Sequence, residues 1–128
     1  MKLPTRDEFA MIIENAKVAG RKAAESRYIF LKERSCPNAM ALDLCGNAYI
    51  ILSVDGRSKL GKFLNSIQSS PLLNVSVTKS NRDGGYVLFI NDMGSYHELS
   101  VWIASNKAAL EVIKEGLVID GRLKEYNT

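Results

Sequence analysis

Gly56-Arg57-Ser58-Lys59-Leu60-Gly61-Lys62 spells G-x-x-x-x-G-K, the opening of a loop that cradles phosphates, after an apolar run and at the start of a helical pattern. A nucleotide-hydrolysing loop next needs a hydroxyl to hold magnesium, and Phe63 stands there. Such enzymes also use a parallel sheet with helical crossovers, whereas Asn81-Arg82-Asp83-Gly84-Gly85 reads as the connection of an antiparallel hairpin. What survives is capture of a phosphate or carboxylate. Arg57, Ser58 and Lys59 stand beside the free amides of a helix start, and Lys62 lies one turn on, on the same face as Lys59. The competing reading is an ordinary helix cap with solvated lysines.

Other chemistry is thinner. Ser95, His97 and Glu98 are close in sequence, but neighbours at a helix start seldom face one another, and no nucleophile elbow surrounds Ser95. Cys36, Cys45 and His97 cannot complete a four-ligand zinc site, so both cysteines read as reduced thiols, and neither metal nor cofactor is expected. Tyr28, Tyr49, Tyr86, Tyr96 and Trp102 are candidates for base stacking. Tyr86 and Tyr96 flank loops and are expected to be the exposed ones; core packing is the alternative for all five. The pattern contains no convergent set of ionisable groups, which argues for a protein that binds rather than one that catalyses.

These residues must be positioned by a small number of elements. Thr5-Arg6-Asp7-Glu8 is a capping box, and from there to about Glu33 only Gly20 weakens a helix. Phe9, Ile12, Ile13, Ala16, Ala19, Gly20, Ala23, Phe30 and Leu31 recur at helical spacing on one stripe. Its small central residues permit close approach of another element. Beside the stripe runs a basic face that includes Lys17, Arg21 and Lys32, either solvated surface or a partner contact. Arg27 falls within the apolar stripe, so its head either snorkels to solvent or points into a pocket or subunit interface. So long a helix in a small domain suggests packing on another copy, hence a homo-oligomer.

Ser35-Cys36-Pro37-Asn38 ends that helix, and Ala39 to Leu44 is a candidate short strand. Ala48–Val54 reads as a central strand, and Ser58 caps a helix running to about Ser66. Val75–Lys79 and Tyr86–Ile90 form the hairpin. A helix follows from about His97 or Glu98 to Glu115 with Gly116 as its C-cap, then a strand at Leu117–Ile119 and a frayed tail from Lys124. The fold expected is α+β: one domain of 128 residues, with a long N-terminal helix over residues 1–35. Residues 39–123 then form a small, mainly antiparallel sheet covered by two further helices.

The charge balance narrows the partners. Residues 1–35 hold eight Lys/Arg and five Asp/Glu, and the rest hold nine of each, so the whole net charge of +3 sits on the first helix. That is too little for a duplex-DNA binder and the wrong sign for a DNA mimic. No run reaches the roughly 18 apolar residues of a membrane span and no signal h-region follows Met1, so a cytoplasmic protein with no membrane partner is expected.

Cys45-Gly46-Asn47-Ala48, Ser58-Lys59-Leu60-Gly61-Lys62-Phe63-Leu64, Gly84-Gly85-Tyr86, Gly94-Ser95 and Gly121-Arg122-Leu123 together resemble a family of small bacteriophage proteins. That family has a Cys-Gly-x-Ala strand, a Ser-Lys-x-x-Lys-x-Leu helix, a Gly-Gly hairpin and a closing Arg-Leu. The resemblance spans about residues 45–123 and leaves the first helix outside. Asn47 and Tyr49 replace family aromatics, Gly61 replaces an alanine, and Ser95-Tyr96 replaces Gln-Ser. The resemblance implies phage origin, action in the host-cell cytoplasm and a shared fold, and it carries no activity.

The function expected on these grounds is a non-enzymatic phage protein that counters host defence. It would sequester a small anionic signal, a nucleotide, or block a host defence protein. Arg57, Ser58, Lys59 and Lys62 would hold the anion, with Arg27 and Tyr86 or Tyr96 completing the pocket across a subunit boundary. The alternative is a nucleic-acid-binding accessory protein using Lys17, Arg21 and Lys32.

Overall fold

The computed structural model describes residues 3–34, 46–67, 75–90, 93–94 and 96–127. Its elements run α1 (Arg6–Arg34), β1 (Gly46–Leu52), α2 (Lys59–Ser66), β2 (Val75–Ser80), β3 (Gly85–Ile90), α3 (Leu99–Leu117) and β4 (Gly121–Asn127). The candidate strand at Ala39 to Leu44 lies outside the described residues.

The four strands form one sheet in the order β2-β3-β1-β4, every neighbouring pair antiparallel. The hairpin pairs Val75 with Ile90 through Ser80 with Gly85. Strand β1 lies between β3 (Ile50 opposite Leu88) and β4 (Gly46 opposite Asn127 to Leu52 opposite Gly121). After α1, the chain is therefore β-α-β-β-α-β, and each helical crossover skips one strand. This is the connectivity of the split βαβ, or ferredoxin-like, topology. The α+β class expected from the sequence is the class observed.

Alternation along the strands sorts the sheet into two faces. Ile50, Leu52, Val75, Val77, Tyr86, Leu88 and Ile90 point to one, and all are buried in a single cluster with residues of all three helices. The opposite face carries Tyr49, Ile51, Val87, Phe89, Arg122, Lys124 and Tyr126.

Helix α2 has only eight residues, too few to cover its half of the sheet. The N-terminal half of α1 makes up the difference. Phe9, Ile13 and Ala16 enter the common core, and the Phe9 ring meets Phe63 of α2 edge-on at 5.5 Å between centroids. Along its length α1 runs antiparallel to α3. A Cβ on Gly116 would touch Ile12 and one on Gly20 would meet Ser105, while Arg27 bonds Ser100. Of the small residues read as a close-approach stripe, Ala16 and Gly20 are buried, Ala19 and Ala23 are half-buried, and Ala24 rather than Ala23 takes the next buried position. Among the described residues no buried side-chain polar atom lacks a partner, and Asn106 of α3 donates to the carbonyls of Ala48 (3.2 Å) and Trp102 (2.9 Å), tying α3 to β1.

The capping box forms as expected, with Glu8 N–H donating to Thr5 Oγ1 and Thr5 N–H to Glu8 Oε1, each at 3.1 Å. The C-terminal third requires corrections. Helix α3 continues through Gly116 to Leu117, whose side chain is buried in the core, while Gly116 is exposed and lies beside Ile12 of α1. The C-cap is Val118, in the left-handed region at φ 54°. Leu117–Ile119 is therefore not a strand. The last strand starts at Gly121, and Lys124–Tyr126, expected to fray, pair with Tyr49–Asn47. Phe30, placed in the apolar stripe, is 41% exposed because it lies beyond the part of α1 that α3 covers.

Candidate anion-binding corner

The turn after β1 is built by Asp55. Its carbonyl accepts from Ser58 N–H (3.1 Å) and from the Ser58 hydroxyl (2.6 Å), closing the chain into the start of α2. Ser58 Oγ in turn accepts from Gly61 N–H at 3.0 Å, an N-cap of the ordinary kind. The Asp55 carboxylate accepts from Arg57 N–H at 2.9 Å and from the Arg57 guanidinium at 3.4 Å on both oxygens. The backbone N–H of Arg57, then its guanidinium, hold the Asp55 carboxyl below the usual carboxylate range. The corner thus already contains an internal carboxylate, and the Ser58 hydroxyl is committed to the cap.

Gly61, the second glycine of the G-x-x-x-x-G-K spelling, has a role unrelated to phosphate. A Cβ there would lie 2.2 Å from the Asp55 carbonyl oxygen and 2.8 Å from Gly56 Cα, so only glycine lets α2 close against the turn. Tyr86 is the clearest correction among the site candidates. It is fully buried, and its hydroxyl donates to the Gly61 carbonyl at 3.1 Å. Its position on the core face of β3 turns it inward, so it braces α2 and offers no ring to a ligand.

Two hollows flank the corner. One, of about 490 Å³, lies between the β1–α2 turn and the hairpin and is lined by Ser53, Asp55, Gly56, Arg57 and Lys79 together with Ser80, Asn81, Gly84 and Gly85 of the hairpin. The other, of about 340 Å³, takes Ser58 and Lys59 together with apolar Leu3, Val54, Leu60 and Ile119. The candidates Arg57 and Lys59 thus serve different hollows, and Lys62 lines neither. Lys79 is the residue that the sequence reading missed. Its exposed side chain runs back from the end of β2, and its ammonium presses on Gly56, so close that a Cβ there would meet Nζ at 2.6 Å. Among the described residues it makes no ion pair. The alternation of Val75-Ser76-Val77-Thr78-Lys79 could have placed it on the helix side of the strand, but nothing in the pattern says that the hairpin end abuts the turn.

The remaining candidates lie elsewhere. Arg27 Nε donates to Ser100 Oγ at 3.3 Å, and its guanidinium sits 4.9 Å from the Phe30 ring centroid. Tyr96 packs on Tyr28 at 5.3 Å, and its carbonyl accepts from Trp102 Nε1. This cluster surrounds the start of α3, where His97 holds Gly46 at the beginning of β1, while the anion corner follows the end of β1. Seven residues of strand, roughly 20 Å, separate them within one chain. On the basic face of α1, Lys17 is 3.4 Å from Glu14 and its side chain is 14% exposed, whereas Arg21 and Lys32 are exposed.

Among the described residues, no group of three or more His, Cys, Asp or Glu gathers as a metal site, and no helix is long and apolar enough to cross a membrane. Comparison with protein-family models, curated proteins and solved structures finds no match.

Proposed function

We propose that the protein is a non-catalytic binding module for a small anionic ligand of nucleotide size, held in the hollow between the β1–α2 turn and the β2–β3 hairpin. One observation carries the reading: Arg57 and Lys79 reach the same polar hollow from two different elements, against one carboxylate, Asp55. Its volume of about 490 Å³ suits a mononucleotide, within the range of ordinary small-ligand sites. Gly84 on the wall, where a Cβ would meet nothing within 4 Å, leaves room for a ligand to approach the backbone closely. Arg57 supplies a planar fork and Lys79 a point charge, a combination suited to phosphate.

In this proposal the phage resemblance supplies the wider role, sequestering a nucleotide signal of host defence in the host cytoplasm. Self-association draws support from Met11, Val18 and Ile29. They are exposed and stand in line along the side of α1 away from α3.

The test is a thermal-shift and calorimetric panel of cyclic and linear nucleotides with inorganic phosphate as the minimal probe. A nucleotide should raise the melting temperature of the wild type and leave a combined Arg57→Gln, Lys79→Gln variant unmoved. No shift with any member of the panel overturns the reading.

A further inference from the structure

Three helices cover one face of the sheet, and the other face carries an aromatic row that no described helix touches. Tyr49 of β1 is its centre. Its ring lies 5.2 Å from Tyr126 of β4, nearly perpendicular, and 6.4 Å from Phe89 of β3, tilted by 50°. Three adjacent strands thus each contribute one ring. Phe89 is 37% and Tyr126 43% exposed, in a chain whose other strand apolar residues are mostly buried.

Next to the rings, the same face is basic. Arg122 and Lys124 lie on it by register, opposite Ile51 and Tyr49. Both reach towards the hairpin turn, Lys124 Nζ to the Asp83 carboxylate at 2.8 Å and Arg122 Nη2 to the Asp83 carbonyl at 3.0 Å. Their stems cross β1, which explains why Ile51 is 1% exposed although it points away from the helices. The strands contribute no Asp or Glu to this face, and Asp83 of the turn is the only described carboxylate there. It faces two cations, Lys124 and Arg122, so the face keeps an excess of one positive charge, and Arg122 is exposed.

We propose that this face binds single-stranded nucleic acid, with bases stacking on Tyr49, Phe89 and Tyr126 and the sugar-phosphate backbone tracking Arg122 and Lys124. Every base presents a flat face that an exposed ring can stack on, and phosphates complement a face whose cations outnumber its carboxylates. A four-stranded antiparallel sheet with ring-bearing central strands is a general solution to that problem. A second copy laid face to face fits less well, since it would bring cation against cation over a small apolar area. A duplex is excluded because its bases cannot reach the rings. This site is separate from the nucleotide hollow and does not depend on it.

The experiment is fluorescence anisotropy with labelled single-stranded DNA and RNA of about 12 nucleotides, with the matching duplex as control and a salt titration. The wild type should bind the single strands and not the duplex, more weakly as salt rises. Phe89→Ala and Tyr126→Ala, both at exposed positions, should each weaken binding about 5- to 100-fold while their melting temperatures stay near the wild-type value. Arg122→Ala should flatten the salt dependence. Arg57→Gln with Lys79→Gln should leave single-strand binding unchanged, which separates this proposal from the nucleotide hollow. Absence of single-strand binding, equal binding by the ring variants, or a dimer in sedimentation that Phe89→Ala dissolves would each overturn the proposal.

Discussion

Lys124 Nζ lies 2.8 Å from Asp83 Oδ1 and joins the last strand to the hairpin turn across 41 residues of sequence. Ser80 Oγ donates to the other carboxylate oxygen at 2.8 Å. The Lys124 ammonium, then the Ser80 hydroxyl, hold the Asp83 carboxyl below its ordinary value near 3.8, and Asp83 raises Lys124 above 10.5. Because the folded Asp83 binds its proton less readily than the unfolded one, its stabilising effect is complete above about pH 3.8 and is lost as pH falls through the lowered value. The Lys124 effect has the opposite sense, complete below about pH 10.5 and lost as pH rises through the raised value. Melting temperatures across pH 2–7 should therefore fall at the acid end less steeply in Asp83→Asn than in the wild type. Added salt should shrink the difference between the two. Parallel acid limbs would show that the pair contributes nothing.

Gly61→Ala sets two effects of opposite sign against each other. Helix propensity alone favours alanine by about 1 kcal/mol. The new Cβ would overlap the Asp55 carbonyl at 2.2 Å, and backbone on both sides leaves nothing flexible to yield. Overpacking of this kind costs about 1–3 kcal/mol. Denaturant unfolding should show net destabilisation, and a stabilised variant would mean that α2 does not close on the turn as described.

Tyr86→Phe removes one oxygen and leaves the buried ring in place. The Gly61 carbonyl then loses the hydroxyl that bonds it at 3.1 Å. Leaving a buried acceptor without its partner costs about 1–3 kcal/mol, so the unfolding midpoint should drop with an unchanged denaturant slope.

Val118 offers a gain. It is β-branched, 76% exposed and held at φ 54°, ψ 52°, a conformation that disfavours a side chain by about 1–2 kcal/mol. Val118→Gly relieves that strain, and the added freedom of the unfolded chain takes back about 0.5–1 kcal/mol. The net expectation is a rise of a few degrees in melting temperature. A fall would place the Val118 side chain in a contact that its exposure does not show.

Local features were legible because they depend on neighbours in sequence. The Thr5–Glu8 box, the Ser58 cap, the hairpin at Asn81–Gly85 and the long first helix all follow from spacing of a few residues. The order of the strands did not follow, since nothing near β1 states that β3 and β4 flank it. Strand β4 was missed because only Leu123 of Arg122-Leu123-Lys124 faces the core, leaving too weak an alternation to read. The site suffered the same way. Arg57 was found through its motif, while Lys79 enters only because the hairpin folds its end against the turn. Tyr86 was misjudged because adjacency to a loop says little about which face of a strand a ring occupies.

The pairing of α1 with α3 has a consequence for how the molecule is made. Ile12 meets Gly116 of α3, and Phe9 joins a core shared with the strands and the other two helices, so the first helix synthesised is among the last to find its place. At roughly 5–20 residues per second on the ribosome, its apolar stripe stays uncovered for several seconds before α3 exists. The small residues along the middle of that stripe, Ala16, Ala19, Gly20 and Ala23, then acquire a second value. They keep an unpartnered nascent helix less adhesive than a row of leucines would be, while still allowing the tight fit that awaits it.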